Sequence, residues 1–377
     1  MTASHPADVP RPPVPADPPV YVIGAGPGGL AVAQALRERG VRAVVLEKSD
    51  RVGASWRGHY DRLRLHTTRR LSALPGLPMP RRFGRWVSRD NVVRYLEKYA
   101  EHHRLELVTG VEVHRVERTS DGTGWLLRAS GGRELTGSAV VVATGFNHTP
   151  RLPDWPGGTE FGGEWPAQYT GVLVRRLPVW LVDRLAGPVG RLSTPDLSAH
   201  GLPRPDTGLY SRVKQGAIPV QDVGLVRAVR TGGVEVVAAV EAFDGDTVVL
   251  ADGSRITPDA VIAATGYVHA LEGLVGHLGV LDGRGRPVVH GGRTSPKAPG
   301  LYFTGFTNPI SGMLRELAID AERIARAVGK SAGATRAKSV AKPAVKPVVK
   351  PLAKAVLRPA VKPLTKAVLK PAAKKPE

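Results

Sequence analysis

The stretch VYVIGAGPGGLAVAQ sets Gly24, Gly26 and Gly29 at the spacing G-x-G-x-x-G, with Pro27 and Gly28 between the last two. An apolar run precedes these glycines, a helix-forming stretch follows, and the next apolar run, VRAVVLE, ends on Glu47. Glycines at this spacing occur in many turns, so the signal lies in the order of the flanking segments. Gly24 permits a tight turn, Gly26 lets the backbone approach a pyrophosphate, and Gly29 lets a helix pack close to a strand. The helix N-terminus then meets the phosphates. Glu47 accepts hydrogen bonds from a ribose 2′-hydroxyl and repels a 2′-phosphate, so the pattern predicts a dinucleotide site for something other than NADP.

Such a site needs a parallel sheet beneath it. Strands are expected at 20–24 and 41–47, with a helix over LAVAQALRERG between them. Ser88 is placed to cap a helix through NVVRYLEKYAEHH, in which Val92, Val93, Leu96 and Tyr99 fall near helical spacing. Several short β segments follow over 106–142, ending in SAVVVATG. Similar apolar runs recur as AVIAATGY at 260–267 and LYFTGF at 301–306. A last helix over roughly 312–328 carries Met313, Leu317, Ala321, Ile324 and Val328 on one face. Alternation of this kind predicts an α/β chain with parallel-sheet features.

The 377 residues suffice for two domains and a sizeable core. The chain has no cysteine, which excludes disulfides, iron–sulfur ligation, thiolate catalysis and a redox-active cysteine pair. No run approaches the roughly 18 apolar residues of a membrane span. The proline-rich residues 1–19 read as a flexible leader rather than a secretory signal, with a cytoplasmic location as the default. The formal charge is +20, but residues 329–377 hold 13 Lys or Arg against one acid. Most of the basicity therefore belongs to a tail, in which a basic residue recurs at every fourth position from Lys342 to Lys374. Frequent prolines argue against a packed helix. The tail, 330–377, has two readings: a disordered solvated extension, or an electrostatic tether to nucleic acid or an anionic membrane.

The stretch RVGASWRGHYDRLRLHTTRRLSALPGLPMP, residues 51–80, resembles the flavin-containing monooxygenases, especially the plant YUCCA group and its bacterial relatives. Gly53, Ser55, Trp56 and Arg57 match their GGxWR motif, with Ala54 replacing a glycine. Tyr60, Asp61, Leu63, Leu65 and His66 match YDxLxLH. Further similar stretches are VVATG at 141–145, RLPDWPG at 151–157, VIAATGY at 261–267 and YFTGFTNPISGMLRELAIDA at 302–321.

The resemblance implies a Rossmann-like, three-layer ββα FAD-binding domain interrupted by a nicotinamide-type domain. It implies a flavin reduced by NAD(P)H, whose C4a-hydroperoxide with dioxygen oxygenates a small-molecule substrate. On this basis FAD would contact Gly24, Gly26, Pro27, Gly28, Gly29, Glu47 and Lys48, then Gly53, Ser55 and Trp56. The backbone at Val113 would meet the adenine. Ala143, Thr144 and Gly145, then Thr304, Gly305, Ile310 and Met313, would line the rest of the cofactor. Trp56 either packs beside the isoalloxazine or simply fills core. His66 is the catalytic candidate, hydrogen-bonding a flavin–oxygen adduct or substrate; the alternative is a histidine that closes a loop.

The family's second G-x-G-x-x-G is missing. Phe161 and Gly163 fit its usual linker, but Ala167 stands at the linker's histidine position, and QYTGVLV runs directly into Arg175 and Arg176. A βαβ unit takes about 30 residues, for which there is no room. The expected domains are FAD-binding segments at 20–165 and 256–329 around a shortened nicotinamide-type insertion at 166–255. NADPH use is thus left open. A separate reductase, an oxidase reaction and a degenerate flavin-binding protein are the alternatives.

Overall fold

The computed structural model describes residues 18–146, 149–150, 196–202, 224–262, 266–309 and 311–340. The chain divides into two compact units, Met1–Ala334 and Thr335–Glu377. The expectations for the leader up to residue 17, for the segment containing Phe161, Ala167, Arg175 and Arg176, for Ile310, and for the tail beyond residue 340 lie outside the described residues.

Within the first unit, β1 (Val20–Ile23), β2 (Ala43–Glu47), β3 (Glu106–Thr109), β7 (Ala139–Val142) and β13 (Leu301–Phe303) form one sheet in the order β13-β7-β1-β2-β3, every pair parallel. Strands β4 (Val113–Arg118), β5 (Trp125–Ala129) and β6 (Arg133–Gly137) form an antiparallel sheet between β3 and β7 in the chain. The principal helices are α1 (Pro27–Glu38) and α3 (Arg89–His102); a short turn of helix, α2 (Ala54–Arg57), lies between them in sequence.

The sheet is covered on both faces, and its residues alternate between two cores, as the two-residue side-chain period of a strand requires. Val20, Val22, Val45, Val141 and Tyr302 face a core built with α1, α3 and the chain's last helix. Tyr21, Ile23, Val44, Leu46, Val140, Val142 and Phe303 face a second core with Val116, Trp125 and Leu127 of the antiparallel sheet. Helices, parallel sheet and antiparallel sheet make the three layers.

Between β7 and β13 the chain carries Thr149–Pro150 (β8), the helix α4 (Leu225–Arg230), and the antiparallel strands β9 (Val240–Asp244), β10 (Thr247–Leu250) and β11 (Arg255–Ile256). Part of the apolar run at 260–267, residues 263–265, lies outside the described residues. Val261 and Ile262 are exposed, and the pairing segment is β12 (Tyr267–Val268), which runs antiparallel to β8. Neither residue of β12 joins the parallel sheet. After the short helix α5 (Glu272–Val275) the chain returns to β13 and the last helix, α6 (Met313–Val340). On α6 the expected inner face is present: Leu317, Ala321, Ile324 and Val328 are buried. The helix extends to Val340, beyond the boundary drawn at 329. Prolines, the strongest helix stops, begin only at Pro343.

Candidate cofactor site

Parallel strands present all their carboxyl ends at one edge, and ligands bind where the strand order reverses, here between β2 and β7 on either side of β1. That edge holds Gly24, Glu47, Ala143 and Thr304. The Gly24 N–H donates to Leu46 O (2.8 Å), the Ala143 N–H to Ile23 O (2.9 Å) and the Thr304 N–H to Val142 O (3.1 Å), fixing the four chain segments side by side.

Each glycine of the first motif has a separate reason to lack a side chain. Gly24 has φ +108°, and a Cβ there would stand 2.5 Å from Ala143 O. A Cβ on Gly29 would lie 1.9 Å from Gly24 O, inside the turn itself. At Gly26 a Cβ would meet no atom within 4 Å: the space is open beside the start of α1. Pro27 opens that helix, whose first N–H groups have no intrahelical partner. Gly28 lies against Leu317 of α6 and the Thr304 methyl, so α1, the end of β13 and α6 converge there.

Glu47 is buried and does more than await a ribose. Its Oε2 accepts the Ala25 N–H at 2.7 Å and its Oε1 accepts the Ser49 N–H at 3.0 Å. The carboxylate therefore locks the glycine turn onto the end of β2, and its remaining lone pairs are what a ribose would use. Gly53, at φ +69°, donates its N–H to Ala25 O at 3.1 Å, so Ala25 joins both motifs. Ala25 and Ser49 were not singled out from the sequence; no local pattern marks a residue whose contribution is its backbone.

Thr144 and Thr304 follow the ends of neighbouring strands, and each has a buried Oγ1 with no hydrogen-bond partner. Gly145 and Gly305 then take φ +97° and +86°. Both lie in the tripeptide Thr-Gly-Phe, at 144–146 and again at 304–306. The two phenylalanines hold His269 between them, at ring-centroid distances of 4.8 Å (Phe146) and 5.5 Å (Phe306). This grouping was missed at sequence level, although the repeated tripeptide could have revealed it. Burial lowers the His269 pKa, and the nearby Arg286 cation lowers it further.

Other candidates are placed less centrally. Lys48 is exposed and pairs with Glu112 at 3.8 Å. Val113 pairs with Ala129 and packs on the second core, whereas the Val111 N–H binds Glu47 O at 2.9 Å. Ser55 is exposed. Trp56 is half-buried against the helical core and edge-on to His59 at 5.7 Å, so core packing is part of its role. Met313, half-buried at the start of α6, also packs on that core. His66 is exposed, beside buried Leu65, whose N–H is fixed to Val87 O at 2.8 Å. Enough protein surrounds the His66 ring that desolvation lowers its pKa.

Residues 21–164 match the family model described as pyridine nucleotide-disulphide oxidoreductase. The chain is 32% identical to the indole-3-pyruvate monooxygenase YUCCA1 of Oryza sativa subsp. japonica, over 77% of this chain and 87% of that relative. The chain belongs to the flavin-containing monooxygenase family. It is an FAD-dependent oxidoreductase of the monooxygenase type. Similar solved structures carry the same Rossmann-like fold: a flavin-containing monooxygenase from Stenotrophomonas maltophilia (TM-score 0.58, 24% identity, 82% of this chain and 98% of that one) and a bacillithiol disulfide reductase from Bacillus cereus (TM-score 0.59, 18% identity, 84% and 99%).

The residues present fit FAD. The open space at Gly26 suits a pyrophosphate at a helix N-terminus, and the unpartnered Thr144 and Thr304 hydroxyls supply polar groups for the rest of the cofactor. Among the described residues, no helix is long and apolar enough to cross a membrane.

Proposed function

We propose that the carboxyl edge of the parallel sheet holds FAD through Gly24, Gly26, Gly28, Gly29, Glu47, Gly53, Thr144 and Thr304. The protein thereby oxygenates a small organic substrate with dioxygen. The observation that carries this reading is the pair of buried, unpartnered threonine hydroxyls on adjacent strand ends beside a helix start with room for phosphate. Bound FAD, once reduced by an electron donor, would supply the electrons that activate dioxygen.

The chain's own contribution is positional. Gly26 and the first turn of α1 bind the diphosphate, Glu47 fixes that turn, and the threonine hydroxyls orient the cofactor. His66, whose pKa desolvation lowers, offers substrate in its neutral form one N–H donor and one nitrogen acceptor. The rice relative is named for indole-3-pyruvate, an aromatic 2-oxo acid, and we place the substrate of this chain in that class.

A second reading concerns the source of electrons. In the match to the rice relative, 77% of a 377-residue chain is spread over 352 aligned positions, so the chain is shorter than its relative within the matched span. Together with the missing glycine motif, this supports an insertion too short for an ordinary nicotinamide site. Reduction by NADPH is then slow, and a separate reductase or the substrate supplies the electrons.

The deciding experiment is anaerobic. FAD-loaded protein is mixed with NADPH, and separately with NADH, while the visible flavin absorbance is followed. We expect slow, non-saturating bleaching by either, with full bleaching by dithionite. Rapid, saturable bleaching by NADPH would overturn the second reading and leave the first intact. Failure of the purified chain to retain FAD would overturn the first.

A further inference from the structure

A cavity of about 420 Å³ opens on the outer side of α3, between that helix and the loop at 77–83. None of its lining residues belongs to the proposed cofactor site. Its apolar wall includes Leu77, Phe83 and Tyr95, and its charged rim carries Arg82, Arg94 and Lys98. No aspartate or glutamate lines it.

The walls are held in place. The Tyr95 hydroxyl donates to Leu77 O at 2.7 Å and accepts the Leu74 N–H at 2.7 Å. Arg69 donates to Met79 O at 2.9 Å and to Gly84 O at 3.1 Å, tying down both sides of the turn that carries Arg82 and Phe83. Met79 and Leu74 are themselves buried in the core. The loop is therefore shaped before any ligand arrives, which lowers the entropy lost on binding.

The cations are weakly engaged. Arg82 rests over the Phe83 ring at 5.7 Å, and Arg94 reaches Asn91 Oδ1 at a long 3.4 Å. Lys98 pairs with Glu101 at 3.5 Å across an exposed turn, a contact of little strength. Asp90 and Glu97 border the adjoining cavity on the other side of Arg94, where Arg89 and Arg57 respectively pair with them. Guanidinium groups match a carboxylate's two oxygens, and the volume suits one small molecule.

We propose that this cavity binds a small amphipathic anion, a carboxylate on an aromatic or aliphatic body, with the carboxylate between Arg82 and Arg94 and the body against Leu77 and Phe83. This site is separate from the flavin edge, so its occupant is bound without contact with the cofactor.

The test is calorimetric titration of the full, FAD-loaded chain with phenylacetate, alongside 2-phenylethanol and inorganic phosphate, while the visible flavin spectrum is recorded. We expect saturable phenylacetate binding, at least tenfold weaker in both Arg82→Gln and Arg94→Gln, with an unchanged flavin spectrum and thermal midpoint. The alcohol and phosphate should each bind at least tenfold less tightly. Absence of saturable binding, equal binding of alcohol or phosphate, or affinity unmoved in both variants would overturn the proposal. A flavin spectral change that tracks the binding curve would also overturn it, since the anion would then occupy the flavin site.

Discussion

Three glycines of one motif have three different constraints, and substitution can separate them. Gly29→Ala drives a methyl into Gly24 O, a contact the turn cannot relieve without moving its backbone. It should lose more than about 3 kcal/mol of stability in urea unfolding. Gly26 lies at φ −80°, ψ −177°, extended backbone that alanine also adopts, with no atom within 4 Å of its added methyl. Gly26→Ala should therefore change unfolding by under about 1 kcal/mol, yet weaken FAD at least tenfold, which is about 1.4 kcal/mol. Equal FAD affinity in Gly26→Ala and the parent, measured by flavin fluorescence, would count against a pyrophosphate at this turn. The glycine spacing in the sequence pointed to these positions. The lock that Glu47 places on Ala25 was invisible because it joins residues 22 apart through a backbone N–H.

Among the elements, the periodic segments were the most legible. The helices at 27–38 and 89–102 and the strands at 20–23 and 43–47 lie where apolar spacing puts them, since burying that spacing is what forms them. Caps were less legible. Ser88 stands at the N-cap of α3, but its side chain makes no capping hydrogen bond; its carbonyl accepts the Val92 N–H at 3.0 Å instead. Ser88→Ala should accordingly shift stability by less than about 0.5 kcal/mol, below the usual loss of a working cap. The strength of α3 lies elsewhere, in hydroxyls that reach from the helix into the 74–77 loop. Burial pushes the Tyr95 hydroxyl up to about 12, so it stays protonated and donating. Tyr95→Phe leaves Leu77 O and the Leu74 N–H without their partner and should lose about 1–3 kcal/mol. Chemical denaturation of the two variants side by side checks both values.

For the whole molecule, charge acts through histidine. His59, His66, His103, His269 and His290 all have pKa values lowered below 6.5, in each case first by desolvation. A lowered folded-state pKa means that the unfolded chain takes up protons at a higher pH than the native one. The contribution of these groups is complete above about pH 6.5 and is lost as the pH falls toward their folded values. The thermal midpoint should thus drop by several degrees between pH 7 and pH 5. A midpoint that stays level or rises over that interval would contradict the assignment. The order of the parallel sheet bears, finally, on how the chain is made. Val140 of β7 pairs with Leu301 of β13, and Thr304 comes directly after that last strand. At 5–20 residues per second, the roughly 160 residues between these partners take about 10–30 s to emerge from a ribosome. Throughout that interval β7 has one naked edge and the cofactor pocket has no floor at Thr304. A nascent chain of this protein is therefore a natural client for chaperones until its final strand is synthesised.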